Sequence, residues 1–200
     1  MKKLLTLILL LSFTIKAQEI KIGTQTWTTK NLDVTTYRNG DKIPQVKNKK
    51  KWAKLTTGAW CYYENETANG TTYGKLYNWF AVNDPRGLAP KGYHIPTDAE
   101  WTILTDYLGG DTIAGTKMKS TSGWDNDGNG SNTSGFAGLP GGYRGDDGNF
   151  DGFGAPGYWW SSLEGFTDFA WCRDLSPNNG NVYRSGSDKL FGFSVRCLRD

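Results

Sequence analysis

The sequence predicts a single α+β domain, and three observations support that prediction. Helical signals are confined to the first half of the chain, and short aromatic strands separated by glycine-rich turns fill the second half. Aromatic residues are unusually numerous, with nine Trp, ten Tyr and nine Phe, and 26 Gly lie between them. Large rings supply buried area where aliphatic runs are few, while glycines let loops turn closely around them. We therefore expect two helices, an antiparallel sheet and long glycine-rich loops.

Residues 1–17 are predicted to form a secretory signal peptide. Lys2 and Lys3 provide a basic start, an apolar run extends from Leu4 to Ile15, and Ala17 is a small residue suited to cleavage. The apolar run is shorter than the roughly 20 residues that span a bilayer, so we expect no stable membrane insertion after cleavage. We expect an exported protein, and the sequence leaves periplasm, cell surface and extracellular medium open.

The predicted mature chain, residues 18–200, is close to electrically neutral. Signal cleavage removes three lysines and no acid, so the formal charge falls from +3 to zero. A neutral chain lacks the basic surface that nucleic-acid binding needs, and we expect no nucleic-acid partner. One basic segment surrounds Trp52, and we interpret it as a solvated loop. Its lysines are Lys47, Lys49, Lys50, Lys51 and Lys54.

The elements follow in order from the hydrophobic pattern. Alternation around Ile20, Ile22 and Trp27 predicts strands within residues 20–38 with a break at Gly23, and Trp60 to Tyr63 predicts a short aromatic strand. Later strands are predicted at Phe136 to Leu139, Tyr158 to Ser161, Ala170 to Leu175, Asn181 to Ser185 and Phe191 to Leu198.

Two segments carry helical signals. Apolar residues at helical spacing predict a first helix from Tyr73 to Asn83. The second begins at a capping box, in which Thr97 and Glu100 satisfy backbone donors, and Gly109 ends it. Four tryptophans with apolar neighbours in these elements are predicted to lie in the core: Trp27, Trp79, Trp101 and Trp159.

Seven motifs in order resemble the Fibrobacter succinogenes major paralogous domain, and they cover nearly the whole mature chain. They are IGTQTW, NLDVTTYRNGDKIP, YGKLYNWFAV, GYHIPTDAEW, GFAGLPGGYR, YWWSS and GFSVRC. That family is similar to a branch of the C-type lectin fold shared with the formylglycine-generating enzymes. The resemblance implies a C-type lectin-like fold with a twisted antiparallel sheet, two helices and neighbouring termini. It also implies a binding or surface module, because the family occurs on exported proteins of Bacteroidetes and Fibrobacteres.

The cysteines depart from the family pattern. Relatives commonly carry a cysteine before the PxGYHxP stretch that would pair with the one in the last strand, but Ala89 occupies that place here. Because the exported chain has three cysteines, at most one disulfide can form within it and one cysteine stays unpaired. We expect a disulfide between Cys172 and Cys197, with Cys61 as the rival partner for Cys197.

Two acidic loops are candidate calcium sites. Each carries alternate oxygen ligands before a glycine, the pattern of the first half of a calcium loop. The residues are Asp125, Asp127 and Asn129 before Gly130, and Asp147, Asn149 and Asp151 before Gly152. Neither loop has the glutamate of the twelfth position, and plain turns are the alternative because Asp and Asn bond their own backbone. Calcium is therefore a possible cofactor, and we expect no other.

A polar hairpin near the end of the chain is the candidate ligand surface, together with Trp124 in a glycine-rich loop. Tyr, Asn, Ser and Arg suit adaptable recognition. The candidate ligand residues are Trp124, Arg173, Asn178, Asn179, Asn181, Tyr183, Arg184 and Ser185. The EPN and QPD triplets of calcium-dependent lectins are absent, although SPNN occupies a similar setting.

These observations favour an exported, non-catalytic recognition module with a glycan or a surface protein as its partner. The alternative is a structural or assembly component of the cell envelope. A third hypothesis, an oxidase similar to the formylglycine-generating enzymes, is disfavoured because those enzymes hold copper(I) with a closely spaced cysteine pair. Here Cys172 and Cys197 are far apart in sequence.

Overall fold

The computed structural model describes residues 18–200, so the predicted signal peptide lies outside the described residues. The strands are β1 (Glu19–Ile22), β2 (Gln25–Thr28), β3 (Trp60–Cys61), β4 (Leu76–Tyr77), β5 (Tyr93–His94), β6 (Gly141–Arg144), β7 (Phe150–Phe153), β8 (Gly157–Phe166), β9 (Phe169–Leu175), β10 (Val182–Asp188) and β11 (Leu198–Arg199). The helices are α1 (Lys49–Trp52), α2 (Thr67–Tyr73), α3 (Trp79–Val82), α4 (Asp98–Tyr107) and α5 (Ala114–Met118), with a 3₁₀ turn at Tyr63–Asn65. The domain thus mixes helices and sheets, as predicted.

The two ends of the domain meet in one antiparallel sheet of order β1-β2-β11-β5. Gly23, at φ 60°, makes the tight turn between β1 and β2. The last strand, β11, then pairs with both β2 and β5. This sheet joins the first and last described strands of the chain.

The second sheet has five strands in the order β10-β9-β8-β6-β7. Neighbouring strands are antiparallel except for β6 and β8, which run parallel at Gly142 and Gly157. The long strands β8 and β9 form a hairpin whose register shifts beyond Trp160. A third sheet contains only β3 and β4.

Helix α4 confirms the prediction from the capping box. The Thr97 hydroxyl accepts from the Glu100 backbone N–H, and the Glu100 carboxylate accepts from the Thr97 N–H in return. The four predicted core tryptophans are also buried. In the part of the chain that the structure describes, no helix has the length and apolar character needed to cross a bilayer.

The predicted first helix, from Tyr73 to Asn83, is correct only at Trp79–Val82. Helix α2 ends at Tyr73, and Gly74 then adopts φ 72° against the Leu32 carbonyl, where a Cβ would come within 2.9 Å. Strand β4 follows, and Asn78 caps the short helix α3 by accepting from Ala81 N. The same Asn78 oxygen accepts from Ala59 N, so tertiary contacts override the helical spacing.

The predicted strand at Phe136 to Leu139 is also wrong, because only Gly138 forms a bridge there. The carbonyls of Phe136 and Ala137 accept hydrogen bonds from the buried Arg196 guanidinium and are therefore not available to a neighbouring strand. The predicted strand from Phe191 to Leu198 is reduced to isolated bridges at residues 192–194 and to β11.

Candidate functional site

A groove of about 650 Å³ opens between the β6–β7 turn, the segment before α1 and the 3₁₀ turn. Its size lies within the range of small-molecule sites in proteins. Three aromatic side chains line it: Tyr143, Phe150 and Phe191. Polar side chains complete the lining: Lys47, Lys49, Glu64, Asn65, Asp146, Asp147, Asn149 and Asp151.

The buried side chain of Arg144 holds the two walls of this groove together. Its guanidinium donates to the carbonyls of Val46 and Lys47 on one wall and to that of Gly148 on the other. The same group lies over the ring of Trp52, 4.5 Å from its centroid. Because the Arg144 guanidinium is buried and engaged in these contacts, it fixes the shape of the groove and adds little charge to its surface.

The β6–β7 turn places carboxylates along one wall. Gly148 adopts φ 80° beside the Lys49 carbonyl, which a Cβ would approach to 2.5 Å, so the turn can pack here only with glycine. Asp147 Oδ1 accepts from Asn149 N, and its Oδ2 lies 3.9 Å from Lys49 Nζ. Both groups are exposed, so this ion pair adds little stability.

The opposite wall contains a constrained polar segment. Glu64 and Asn65 adopt φ 53° and 58°, a conformation uncommon outside glycine. Asn65 donates to the Lys47 carbonyl, while its buried Oδ1 finds no hydrogen-bond partner among residues 18–200. Constrained residues with unused polar atoms occur often at binding sites.

A row of tyrosine and aspartate side chains crosses the five-stranded sheet and ends in the groove. Tyr183 on β10 pairs with Asp174 on β9, which also pairs with Tyr158 on β8. Tyr143 on β6 packs on Tyr158, with ring centroids 5.3 Å apart, and pairs with Asp151 on β7. Directly opposed residues share one face of a sheet, so we name these five residues the tyrosine–aspartate row.

Hydrogen bonds order both ends of this row. Tyr183 Oη accepts from the side-chain amides of Asn179 and Asn181, at 2.9 and 3.2 Å. At the other end Tyr143 Oη donates to Asp151 Oδ2 at 3.4 Å. Partial burial, followed by the nearby Asp151 and Asp147 carboxylates, raises the pKa of Tyr143, which therefore stays protonated at neutral pH.

The comparison with known families decides the identity of the chain. The model of the Fibrobacter succinogenes major domain matches residues 20–199. This chain belongs to that family. Neither a curated protein nor a solved structure matches the chain significantly.

Within this Fibrobacter succinogenes major domain, the predicted ligand residues fall on both faces of the terminal hairpin. Tyr183, Asn179 and Asn181 belong to one end of the row, and Ser185 donates to Asp174 beside them. Asn178 is exposed in the adjoining turn.

Arg173 and Arg184 point to the other face, where both bind the carboxylate of Asp98 at the start of α4. Burial opposes ionisation of Asp98, but hydrogen bonds from Arg184 and Arg173 outweigh it and lower its pKa. Arg184 also lies over the Trp171 ring, 3.3 Å from its centroid. These two arginines join the hairpin to α4, and we assign them a structural role.

Trp124, predicted as a candidate ligand residue, is buried in the structure. Its side chain is only 5% exposed, and its indole N–H donates to Ser120 Oγ and the Gly138 carbonyl. The glycine-rich loop folds over the ring and buries it in the core.

The two candidate calcium loops form hydrogen-bonded turns. Asn129 accepts from Trp124 N, and Asp151 Oδ1 accepts from Gly152 N, the side-chain-to-backbone contacts of plain turns. Asp125 lies against the backbone of Gly154 and forms no cluster with Asp127. Among residues 18–200, no group of three His, Cys, Asp or Glu side chains is arranged to hold a metal.

The predicted disulfide between Cys172 and Cys197 is absent from the structure, where both thiols, and that of Cys61, are free and buried. The Cys172 thiol donates to the Ser185 carbonyl across the β9–β10 pair, at 3.3 Å. Burial raises the pKa of all three thiols to about 12. Such thiols are poor nucleophiles.

Sequence reasoning missed most of the groove. It singled out Asp147, Asn149 and Asp151, but as metal ligands, and it gave no role to Tyr143, Phe191 or Asn65. Tyr143 lies in the GGYR end of the GFAGLPGGYR motif. A strand residue that directly follows two glycines there is typical of a partly exposed ring. The other two residues enter the groove through long-range packing, which no local pattern signals.

Proposed function

We propose that this chain is an exported, non-catalytic recognition module on a C-type lectin-like scaffold, and that it binds a carbohydrate in the groove. The scaffold assignment is supported by the shared sheet of the first and last strands and by the helix that opens at IPTDAEW. Export follows from the signal-like segment at residues 1–17.

The observation that carries the proposal is the joint placement of rings and carboxylates in one groove. Sugar rings present apolar C–H faces that pack on aromatic rings such as Tyr143 and Phe191. They also present hydroxyl groups that donate to carboxylates and amides such as Asp147 and Asn149. Pockets that combine apolar walls with a few convergent polar groups are the usual architecture of ligand sites.

The test is a glycan-array screen of residues 18–200, followed by titration calorimetry with the best ligand. We expect Tyr143→Ala and Asp147→Asn each to weaken binding about tenfold, as the loss of a central contact does. The matched controls are Tyr107→Ala and Asp106→Asn, exposed on α4, and they should leave binding unchanged. The proposal would be contradicted if no glycan bound, or if the two groove variants and the two control variants lost the same amount of affinity.

The second candidate, an assembly component of the envelope, is favoured by a different observation. The tip of the β8–β9 hairpin exposes Leu163, Phe166 and Phe169 at 45, 74 and 45%. Neighbouring exposed apolar side chains are a usual mark of protein contact surfaces. If this function holds, the purified domain should self-associate or bind an envelope protein, and Phe166→Ser should abolish that association without affecting glycan binding.

A further inference from the structure

The groove and the tyrosine–aspartate row share two residues at one end of the row. Tyr143 belongs to both, and Asp151 lies at their junction. From Asp151 to Tyr183 the row crosses five strands, and adjacent strands lie about 4.8 Å apart, so it is ~19 Å long. Asp151 and Tyr183 are exposed, and the other three members are half-buried. This length suits a chain of several sugar rings.

The row also has a definite chemical character. The row contains three tyrosine rings and two carboxylates, and none of its five members is basic. Tyr183 Oη accepts two amide N–H groups, which leaves its own proton free to be donated to a ligand. Aromatic faces and carboxylates are both attractive to ammonium groups.

The charge balance points in the same direction. Five acids lie in the groove and the row, against two exposed lysines and the buried Arg144. The acids are Glu64, Asp146, Asp147, Asp151 and Asp174, and the lysines are Lys47 and Lys49. An acidic polysaccharide would be repelled, whereas a chain that carries positive charge would be attracted.

Asp174 supplies an independent observation in the middle of the row. Its carboxylate accepts from Ser185 Oγ at 2.8 Å, and none of the ion pairs in the described chain includes it. Burial raises the pKa of Asp174, and the hydrogen bond from Ser185 only partly offsets this. A half-buried carboxylate without a positive partner is a favourable position for a ligand cation.

We infer that the groove and the tyrosine–aspartate row form one continuous surface for an extended amino-sugar chain in its protonated form. The inference rests on the proposed carbohydrate function and names its ligand class. In the bound state the sugar rings pack on Tyr143, Tyr158 and Tyr183. The ammonium groups pair with Asp151 and Asp174.

The test compares a disaccharide and a hexasaccharide of glucosamine by titration calorimetry. We expect the hexasaccharide to bind at least about tenfold more tightly, and Tyr183→Ala and Asp174→Asn each to remove most of that advantage. Fully N-acetylated and galacturonate hexasaccharides should bind at least about tenfold more weakly than glucosamine hexasaccharide. Tyr107→Ala and Asp106→Asn are the matched controls, and melting curves should show that all four variants fold.

The outcomes separate this inference from the function on which it rests. Equal affinity for the short and long chains, or no effect of the two row variants, would overturn the extended surface and leave the groove intact. Equal binding of the N-acetylated or acidic chain would overturn the amine preference. Loss of binding to every sugar chain, including the disaccharide, would overturn both the inference and the proposed function.

Discussion

Two buried arginines, Arg196 and Arg144, lie in two contrasting regions of the domain. Arg196 donates to the carbonyls of Thr28, Phe136 and Ala137 inside a closed cluster of rings. Arg144 makes an equivalent set of carbonyl contacts, but beneath an open groove. Neither arginine forms an ion pair in the described part of the chain.

The surroundings of the two arginines explain the difference. Around Arg196 every ring packs on another ring, since Phe136 contacts Trp27, Trp101 and Trp159 with centroids 5.7 to 5.8 Å apart. Around Arg144 the ring of Trp52 is buried, but that of Phe150 lines the groove beside carboxylates, which must stay hydrated, so the cluster cannot close. An arginine bound to backbone carbonyls thus fixes irregular loops in both regions. The polarity of the side chains around that arginine decides whether the region closes into a core or stays open as a groove.

The largest expected effect on stability is that of Phe136→Ala in the closed region, the cluster of rings around Arg196. The change removes a fully buried ring from contacts with three tryptophans and should lower the free energy of unfolding by about 3–5 kcal/mol. Urea unfolding of the variant measures this directly. The comparison variant, Tyr143→Ala, should lose less, about 1–2 kcal/mol, because its ring is only partly buried. Equal losses in the two variants would remove the distinction between the regions.

The next effect separates the two arginines. Arg196→Met should lower the free energy of unfolding by about 3 kcal/mol, because three buried carbonyls lose their donor. Burial lowers the pKa of Arg196 to about 9, so its charge is present at neutral pH and the methionine variant loses charged hydrogen bonds.

Arg144→Met should cost about 1–2 kcal/mol, because the carbonyl of the exposed Lys47 can turn to water. Thermal unfolding and glycan binding should be measured on both arginine variants. We expect the Arg144 variant to lose the ligand while it stays folded. A folded Arg144 variant with full affinity would show that this arginine does not shape the groove.

The smallest effect concerns His94, at the edge of the closed region. Burial opposes its protonation, but hydrogen bonds to Asp200 and Glu100 outweigh it and raise its pKa above the ordinary 6.5. The stability that this imidazolium contributes is complete below about pH 6.5 and is lost as the pH rises through the pKa of the folded state. Solvent screening limits it to less than about 1 kcal/mol.

An NMR titration resolves this histidine readily, because the chain contains a single one. Asp200→Asn should lower the His94 pKa. Sugar binding should be unchanged, because both Asp200 and His94 lie outside the groove. A pKa at or below 6.5 in the parent chain would mean that these contacts are not formed in solution.

Part of the fold was predictable because its signals are local. The capping box at Thr97 and Glu100 predicted the start of α4 to the residue, and the strands predicted at Ala170 to Leu175 and Asn181 to Ser185 match β9 and part of β10. The periodic segment after Tyr73 failed because Gly74 and Asn78 make contacts with distant backbone that outweigh helical propensity. The strand predicted at Phe136 failed for the same reason, since Arg196 binds its carbonyls.

The candidate site was less predictable than the fold. Tyr183, Asn179 and Asn181 were predicted as ligand residues of a polar hairpin, and only the structure shows the hydrogen bonds that order them. Trp124 was predicted with them, but it is buried, because loop composition says nothing about what folds over a ring. The order of the strands placed Tyr183, Tyr158 and Tyr143 in one row, although up to 40 residues separate them along the chain.

The sequence by itself determined the family, the mixed helix and sheet content, and the burial of Trp27, Trp79, Trp101 and Trp159, because short motifs and local hydrophobic patterns encode these features. Only the tertiary structure decided which aromatic residues stay open to solvent. The reason is physical: a ring is buried or exposed according to the distant groups that pack against it, and both the polarity of those groups and the register of the strands are properties of the folded chain.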